Sequence, residues 1–279
     1  MRSVRSFGLG TMLLLAGCER VFGVGAPADA YVEPARPLIL TPTTDTDEDG
    51  IPNESDPCPL ISRTEPGGEI DQDGDGIYDV CDPEPQMPGD CLALLDVFRD
   101  DVELSPRWRH DGQPLTLTNG TLELEDNSIA YLDVPLAVHS LAITGYIRGG
   151  TGENRMIQLF FDLALTPLAS GTACAASQVS TAQISNAAVV QVEQGANTVV
   201  SEALVGGLPV GAGSSFEIDW NSSVAPGKCH VELAAQQNEF KGAADAPPRR
   251  SGTVAIRTSG DVYVSIDSVI GYGKNCVAP

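Results

Sequence analysis

The sequence predicts a mainly β protein whose larger part is a jelly-roll β-sandwich, and three observations support this fold class. From about residue 91 to 276, short runs of alternating apolar and polar residues are separated by turn residues, as in strands with one buried face. Leu115–Thr118 and Thr121–Leu124 flank Asn119-Gly120, which favours a two-residue hairpin because both turn positions require positive φ. The same region contains no convincing long amphipathic helix.

Further strands are expected wherever the alternation recurs. The runs are Ala130–Val134, Leu141–Ile147, Met156–Leu165, Ala188–Val192, Thr198–Val205, Phe216–Trp220, Cys229–Leu233, Thr253–Thr258 and Val262–Ile270. About ten or more short strands in about 186 residues suffice for one substantial core and indicate a sandwich or jelly roll.

Two acidic loops precede this region and carry the clearest chemical pattern. They are Asp45-Thr-Asp47-Glu-Asp49-Gly50-Ile-Pro-Asn53-Glu-Ser-Asp56 and Asp71-Gln-Asp73-Gly-Asp75-Gly76-Ile-Tyr-Asp79-Val-Cys-Asp82. Each has side-chain oxygens at positions 1, 3, 5, 9 and 12, glycine at position 6, and a backbone carbonyl available at position 7. No His or Cys occupies the side-chain ligand positions, so the spacing predicts a hard cation, calcium, which takes about six to eight oxygens.

Prolines exclude an EF-hand, which needs a helix on each side of its loop, and the dockerin alternative fails for the same reason. Pro42, Pro52 and Pro57 precede, interrupt and follow the first loop, and Pro83 follows the second. An acidic linker without bound metal is the remaining alternative.

The pair of loops resembles thrombospondin type 3 repeats. Asp56-Pro57-Cys58-Pro59-Leu60 is similar to one repeat type and Asp79-Val80-Cys81-Asp82 to the other, with a departure at Asn53, where aspartate is usual. The resemblance covers residues 45–82 and implies calcium held by side chains, with carbonyls from Ile51 and Ile77. The implied side-chain ligands are Asp45, Asp47, Asp49, Asn53, Asp56, Asp71, Asp73, Asp75, Asp79 and Asp82.

The calcium loops are expected to form a small irregular stalk ahead of the sandwich. Residues 45–82 have too few large apolar side chains for a core, and segments this short usually need metals or disulfides. Without a cation the clustered carboxylates repel each other by about 1 kcal/mol per pair at about 4 Å in water. Calcium binding and folding of this segment should therefore be one event.

The N-terminus has the features of an export signal. Arg2 and Arg5 precede an apolar run, Phe7–Ala16, that is about half of the ~20 residues needed to span a membrane. The run ends in Leu15-Ala16-Gly17-Cys18, which resembles a bacterial lipoprotein signal. The resemblance implies removal of residues 1–17, lipid on Cys18, and anchoring to the cell envelope at the outer membrane or cell surface. The alternative is an ordinary signal peptide with an incidental cysteine.

Proline-rich segments separate the predicted parts. Residues 18–44 are expected to form an extended tether and residues 83–90 a linker, followed by the sandwich at residues 91–279.

Six cysteines remain after Cys18, an even number that suggests three disulfides in an exported protein. Six cysteines allow 15 pairings, and sequence does not choose among them. In thrombospondin type 3 repeats, cysteines of neighbouring repeats are joined. The expected pairs are Cys58–Cys81, Cys91–Cys276, which would tie the first and last strands, and Cys174–Cys229. The alternative is one or more reduced, buried cysteines in the sandwich.

Most of the net negative charge of the chain lies in and around the acidic loops. Residues 41–90 contain 15 acidic side chains and one basic side chain, a balance of −14 out of a formal net charge of −22. Such a chain would be repelled by nucleic acid, and no basic stripe offsets this repulsion.

The large region resembles concanavalin A-like and laminin G-like sandwich domains. The resemblance lies in an opening Asp96-Val-Phe98 and a closing meander through Phe216-Glu-Ile-Asp-Trp220, Cys229-His-Val-Glu-Leu, Gly252–Ser259 and Val262–Ile270. Such domains include glycan binders, adhesion modules, glucanases and structural spacers. We therefore expect a module that recognises an extracellular polysaccharide or surface glycan, or mediates adhesion, with Trp108 as a candidate ligand contact because basic residues flank it.

Catalysis is not expected. Glucanases of this fold carry Glu-x-Asp-x-x-Glu, whereas here Ser222 replaces the last glutamate after Glu217 and Asp219. The three histidines are scattered and form no metal motif. The alternatives to glycan recognition are a structural spacer or envelope assembly component without a glycan ligand, and a degenerate glycoside hydrolase.

Overall fold

A computed structural model describes most of the chain beyond the N-terminal segment. The described residues are 37–98, 104–111, 114–125, 127–150, 155–164, 170–179, 184–193, 196–207, 214–222, 226–235, 238–246 and 252–276. The predicted signal peptide and Cys18 lie outside them. Across these ranges, no helix combines the length and apolar character needed to cross a membrane.

Strands are the main regular elements of the described residues, whereas residues 40–89, which contain the acidic loops, are irregular apart from a 3-10 turn at Asn53–Ser55. In chain order the strands are β1 Leu38–Ile39, β2 Asp90–Val97, β3 Trp108–Asp111, β4 Thr116–Thr118, β5 Thr121–Leu124, β6 Ile129–Pro135, β7 Val138–Gly149, β8 Arg155–Leu163, β9 Gly171–Val179, β10 Ile184–Glu193, β11 Ala196–Gly207, β12 Ser214–Asn221, β13 Gly227–Ala235, β14 Asn238–Ala246, β15 Thr253–Ser259 and β16 Tyr263–Lys274.

The strands form two sheets, which confirms the predicted sandwich. In sheet A the order is β1-β2-β16-β7-β12-β13-β14, with β5 also paired to β16 and β4 paired to β5. In sheet B the order is β11-β10-β9-β8-β15-β6-β3. The short β1 lies parallel to β2, and the pairings described within the sandwich are antiparallel.

The Asn119-Gly120 hairpin forms as predicted. Thr118 pairs with Thr121, and the two turn residues have φ of 53° and 77°. Both lie in the left-handed region that a two-residue turn between twisted strands requires.

The main core lies between the sheets and follows the alternation of each strand. In β12, Phe216, Ile218 and Trp220 are buried and belong to this core, whereas Glu217 faces outward. Sheet B is apolar on its other face as well, because β10 contributes Val189 to the main core and Val190 to a second buried cluster. This two-sided burial explains why β10 reads as a nearly continuous apolar run.

Two disulfides hold the sandwich and match the predicted pairs. Cys91 at the start of β2 is bonded to Cys276 just after β16. Cys174 of β9 is bonded to Cys229 of β13, so this bond joins sheet B to sheet A through the core.

The acidic loops lie against one end of sheet A. The predicted tether is part of this contact, since Leu38 pairs with Leu94 and the amide of Leu40 donates to Leu95 O. In the predicted linker, Pro83 O accepts a hydrogen bond from the Asn221 side chain at 3.4 Å. Residues of both the predicted tether and the predicted linker are therefore in direct contact with the sandwich.

Candidate calcium sites

The first acidic loop is held by hydrogen bonds from its backbone amides to its own carboxylates. Asp45 accepts from the amide of Gly50 at 2.8 Å, Asp47 from Asp49 at 3.2 Å, and Asp49 from Ile51 at 2.9 Å. Gly50 has a φ of 92°, which permits the sharp bend at position 6. The Asp45, Asp47 and Asp49 carboxylates consequently place oxygens within 4.8 Å of one another.

The second loop repeats this geometry position by position. Asp71 accepts from the amide of Gly76 at 3.1 Å, Asp73 from Asp75 at 3.2 Å, and Asp75 from Ile77 at 2.9 Å. Gly76 has a φ of 97°. The carboxylates of Asp71, Asp73 and Asp75 again lie within 4.8 Å of one another. Two segments of different sequence therefore adopt the same local structure.

The aspartates at position 12 accept the same type of backbone hydrogen bond in the two loops. Asp56 Oδ1 accepts from the amide of Cys58 at 2.8 Å, and Asp82 Oδ1 accepts from the amide of Glu84 at 2.7 Å. The Cys58–Cys81 disulfide, the third of the predicted pairs, joins the segments next to these two aspartates.

One buried carboxylate oxygen remains without a donor at each of positions 3 and 12. The four atoms, Oδ2 of Asp47, Asp56, Asp73 and Asp82, have no hydrogen-bond partner among the described residues. A buried charged oxygen without a partner is costly. The same orphan atoms in both loops fit a bound cation, and an all-oxygen donor set is the one that calcium prefers.

The electrostatics of the loops point the same way. Burial raises the pKa of Asp56 to about 6, with contributions from the charges of Asp47, Asp49 and Asp45. Burial, together with Asp90 and Asp75, raises the pKa of Asp82 to about 7. Both shifts arise mainly from burial of the charged form, and the neighbouring carboxylates add to them.

The residues at position 9 have different partners from the other predicted ligands. The Asn53 side chain is fully buried; its oxygen accepts from the amide of Thr46 at 3.2 Å, and its nitrogen donates to Thr41 O at 2.9 Å. Asp79 accepts from the amide of Gln72 at 2.9 Å. Both side chains close their loops, and their ligand role stays a prediction, as does that of the Ile51 and Ile77 carbonyls.

Two sandwich residues complete the surroundings of the loops and were not anticipated from the sequence. Asp90, at the start of β2, lies with Asp75 and Asp82 in a further group of oxygens within 4.8 Å. Tyr272 of β16 is 5% exposed; burial raises its pKa, and the charges of Asp56, Asp82 and Asp90 raise it further. Because Asp90 and Tyr272 lie eight or more residues from the loops along the chain, no local sequence pattern pointed to them.

The outer face of sheet A carries a second candidate site. An open depression of about 310 Å³ is lined by residues that include Tyr146, Glu217, Glu232 and Asp267. Glu217 lies directly opposite Glu232 in register, and Lys241 contacts the Glu232 carboxylate at 2.8 Å. Although Glu217 is exposed, partial desolvation raises its pKa, and the charges of Asp219 and Glu232 add to the shift.

Asp219 does not share this depression with Glu217. Its carboxylate contacts Nδ1 of His230 at 3.0 Å on the neighbouring strand, and this hydrogen bond raises the pKa of His230. The pair of carboxylates that a glycosidase would need is therefore divided between two environments.

Trp108 corrects one expectation. It is 4% exposed, belongs to the main core, and its Nε1 donates to the buried Asp96 carboxylate at 2.6 Å. A ring in this position offers no face to a ligand. The flanking Arg107 and Arg109, which suggested exposure, instead contact Asp133 on the surface.

Comparison with known families supports the interpretation of the first loop as a calcium-binding loop. Residues 43–65 match the thrombospondin type 3 repeat, a calcium-binding repeat. The match includes the whole first loop and ends before the second. No curated protein matches the chain.

Solved structures with similar folds are β-sandwiches. The legume lectin-like domain from Entamoeba histolytica is 13% identical, with a TM-score of 0.45 over 64% of this chain and 96% of that one. Carbohydrate-binding module CBM66 from Bacillus subtilis is 10% identical, with a TM-score of 0.41 over 60% and 96%. The acidic lectin of winged bean is 10% identical, with a TM-score of 0.46 over 64% and 98%.

Proposed function

We propose that the protein is a calcium-binding, lipid-anchored protein of the bacterial cell surface whose sandwich recognises a glycan. The observation that carries the calcium role is the repeated set of orphan buried oxygens at positions 3 and 12 of the two loops. A bound calcium ion supplies the positive charge that these oxygens lack. The carboxylates of Asp47, Asp56, Asp73 and Asp82 are held by neighbouring amides in the orientation that leaves one oxygen of each free.

Calorimetric titration of the full chain with calcium chloride tests this role. We expect uptake by both loops, with Asp47→Asn weakening binding at the first and Asp73→Asn at the second. Glu69→Gln is the matched control, because it removes one charge at an exposed position between the loops. Absence of calcium uptake by the wild-type chain would refute the calcium role.

Calcium should also stabilise the folded state. A ligand that binds only the folded protein adds about 2.7 kcal/mol to the free energy of unfolding at a hundredfold excess over its Kd. Removal of calcium by a chelator is therefore expected to increase hydrogen exchange in residues 43–82. Unchanged exchange there would mean that the loops do not depend on the metal.

The lipid anchor rests on Leu15-Ala16-Gly17-Cys18. Expression in a bacterium with a labelled fatty acid tests it, since the label should enter the wild-type chain and not a Cys18→Ser variant. Equal labelling of wild type and Cys18→Ser would show that Cys18 does not carry a lipid anchor.

Glycan recognition is supported by the depression on sheet A. Tyr146 is 42% exposed at its rim and offers a flat apolar face to a sugar ring, while Glu217 and Glu232 accept hydrogen bonds from hydroxyl groups. A glycan array probed with wild type and Tyr146→Ala tests this assignment. Val200→Ala serves as the control, because Val200 is 56% exposed on the other sheet. Glycan binding that survives Tyr146→Ala would place recognition elsewhere.

A structural role in envelope assembly is the second candidate, and strand β11 favours it. Residues 196–200 of this edge strand are all exposed, including Val199 at 41% and Val200 at 56%. An exposed apolar edge strand is a common protein contact. Crosslinking through a cysteine introduced at Val200, together with a silent glycan array, would favour assembly.

A further inference from the structure

We propose that Asp90, the first residue of β2, joins Asp75 and Asp82 of the second loop in one calcium site, so that the ion fastens the loop to the sandwich. This inference rests on the proposed calcium role and extends it beyond the two loops. The three carboxylates place oxygens within 4.8 Å of one another, although Asp90 follows the last loop residue by eight positions.

The buried state of the carboxylates distinguishes this group from an ordinary acidic surface. Asp82 is 8% exposed and Asp90 is 4% exposed. Asp82 belongs to this cluster, and its Oδ2 has no hydrogen-bond partner among the described residues. Two buried carboxylates at this distance need either a shared proton or a positive charge beside them, and a bound cation supplies the positive charge.

Asp75 is tied to the sandwich by its backbone partners. Its Oδ2 accepts from the amide of Gly89 at 2.9 Å and from the amide of Asp90 at 2.6 Å. Gly89 reaches this position with a φ of 109°, which side-chain-bearing residues rarely adopt. The turn before β2 therefore brings Asp90 to the carboxylate of Asp75.

The remaining contacts orient the Asp90 carboxylate and leave one of its oxygens available to a metal ion. Lys274 Nζ lies 2.7 Å and His139 Nε2 lies 3.1 Å from Asp90 Oδ1, while Oδ2 has no hydrogen-bond partner in the described part of the chain. Lys274 also contacts Glu84 and donates to Met87 O at 3.3 Å. Partners behind a metal-binding carboxylate fix its direction in this way.

The local charge requires more than Lys274. When all are ionised, Asp75, Asp82, Glu84 and Asp90 carry four negative charges; Lys274 neutralises one of them, and His139 beside Asp90 adds a positive charge only when it is protonated. A divalent cation neutralises two more, and carboxylate oxygens are its preferred ligands.

Calcium titration of the full chain with its disulfides intact tests the site. Asp90→Asn should bind one ion fewer than wild type, or bind it roughly tenfold more weakly or worse, because ligand charge sets calcium affinity. Glu84→Gln is the matched control, since it removes the same charge and a contact to the same lysine without removing a proposed ligand. We expect it to keep the wild-type stoichiometry.

The outcomes separate this site from the general calcium role. Wild-type binding with an unchanged Asp90→Asn isotherm, or with equal losses in Asp90→Asn and Glu84→Gln, overturns the Asp90 site and leaves the loops as calcium sites. No binding by wild type overturns both.

A second measurement needs no variant: a crystal structure of the wild-type chain grown in calcium chloride should place an ion at about 2.3–2.6 Å from oxygens of Asp75, Asp82 and Asp90. An ion ligated by the loop alone contradicts the proposal.

Discussion

Phe161 of β8 stacks on Trp220 of β12 across the two sheets, with ring centroids 4.0 Å apart and ring planes at 6°. Trp220 is directly opposite Cys229 in register, so the stack lies beside the disulfide that joins the sheets. Both rings are fully buried. This contact is therefore a centre of the sandwich core.

Truncation of Phe161 should be among the costlier core substitutions. Phe161→Ala is expected to lower the free energy of unfolding by about 3–5 kcal/mol, as large-to-small changes in cores do. Trp220→Phe should cost less, because Trp220 Nε1 has no hydrogen-bond partner among the described residues and the ring stack is retained. Urea denaturation followed by circular dichroism measures both values. The reverse order of costs would contradict this picture of the core.

The disulfide between the sheets should matter for the sandwich. Cys174 and Cys229 are separated by 55 residues, for which the chain-entropy relation gives about 4 kcal/mol. A Cys174→Ala/Cys229→Ala variant should therefore melt well below wild type. Cys58→Ala/Cys81→Ala is the comparison, and it should mainly increase hydrogen exchange in the loops. A larger loss of sandwich stability in the comparison variant would show that this reasoning is wrong.

A glycine in β7 marks a close approach between strands. A Cβ at Gly145 would lie 2.2 Å from Ser265 O, which is backbone and cannot swing away. Gly149, on the same strand, has Tyr263 as its nearest neighbour at 3.9 Å. Gly145→Ala should lower the melting temperature by several degrees, corresponding to about 1–3 kcal/mol of overpacking, while Gly149→Ala stays near wild type. Equal effects of the two variants would exclude steric crowding as the cause.

Glu217 should make stability depend on pH. Its pKa in the folded protein is above the ordinary value of 4.5, so the folded state holds this proton more tightly than the unfolded state. The contribution is fully present below pH 4.5 and is lost as the pH rises through the folded pKa. Glu217→Gln should therefore gain stability relative to wild type at pH 7 and not at pH 4, by chemical denaturation at each pH. Glu193→Gln, at an exposed carboxyl on β10, is the control. A gain that is equal at both pH values would rule out the titration of Glu217.

Local patterns predicted much of this molecule. The hairpin at Asn119-Gly120 and the alternation of Phe216, Ile218 and Trp220 depend on near neighbours along the chain, and the structure reproduces both. The spacing of the acidic residues likewise indicated that the carboxylates at positions 1, 3 and 5 meet within each loop, whereas the ligand roles predicted for positions 9 and 12 stay predictions.

The features that were missed depend on distant residues or on weak strand formers. Strand β9 was not anticipated because its core positions are filled largely by alanine, which has low strand propensity. Asp90 meets the second loop through the turn before β2, and Tyr272 is brought near the loops by the pairing of β16 with β2. Trp108 was misjudged because its basic neighbours are exposed while the ring itself turns inward to Asp96.

The Cys91–Cys276 bond closes residues 91–276 into a covalent ring. A protease that cuts any one peptide bond within this ring opens the chain but releases nothing, since both pieces stay linked through sulfur. The nicked protein would keep its full mass on a gel without reductant and divide into two fragments only when the disulfides that bridge the cut are reduced. A single cut in a surface loop is thus damage that the sandwich survives in one piece.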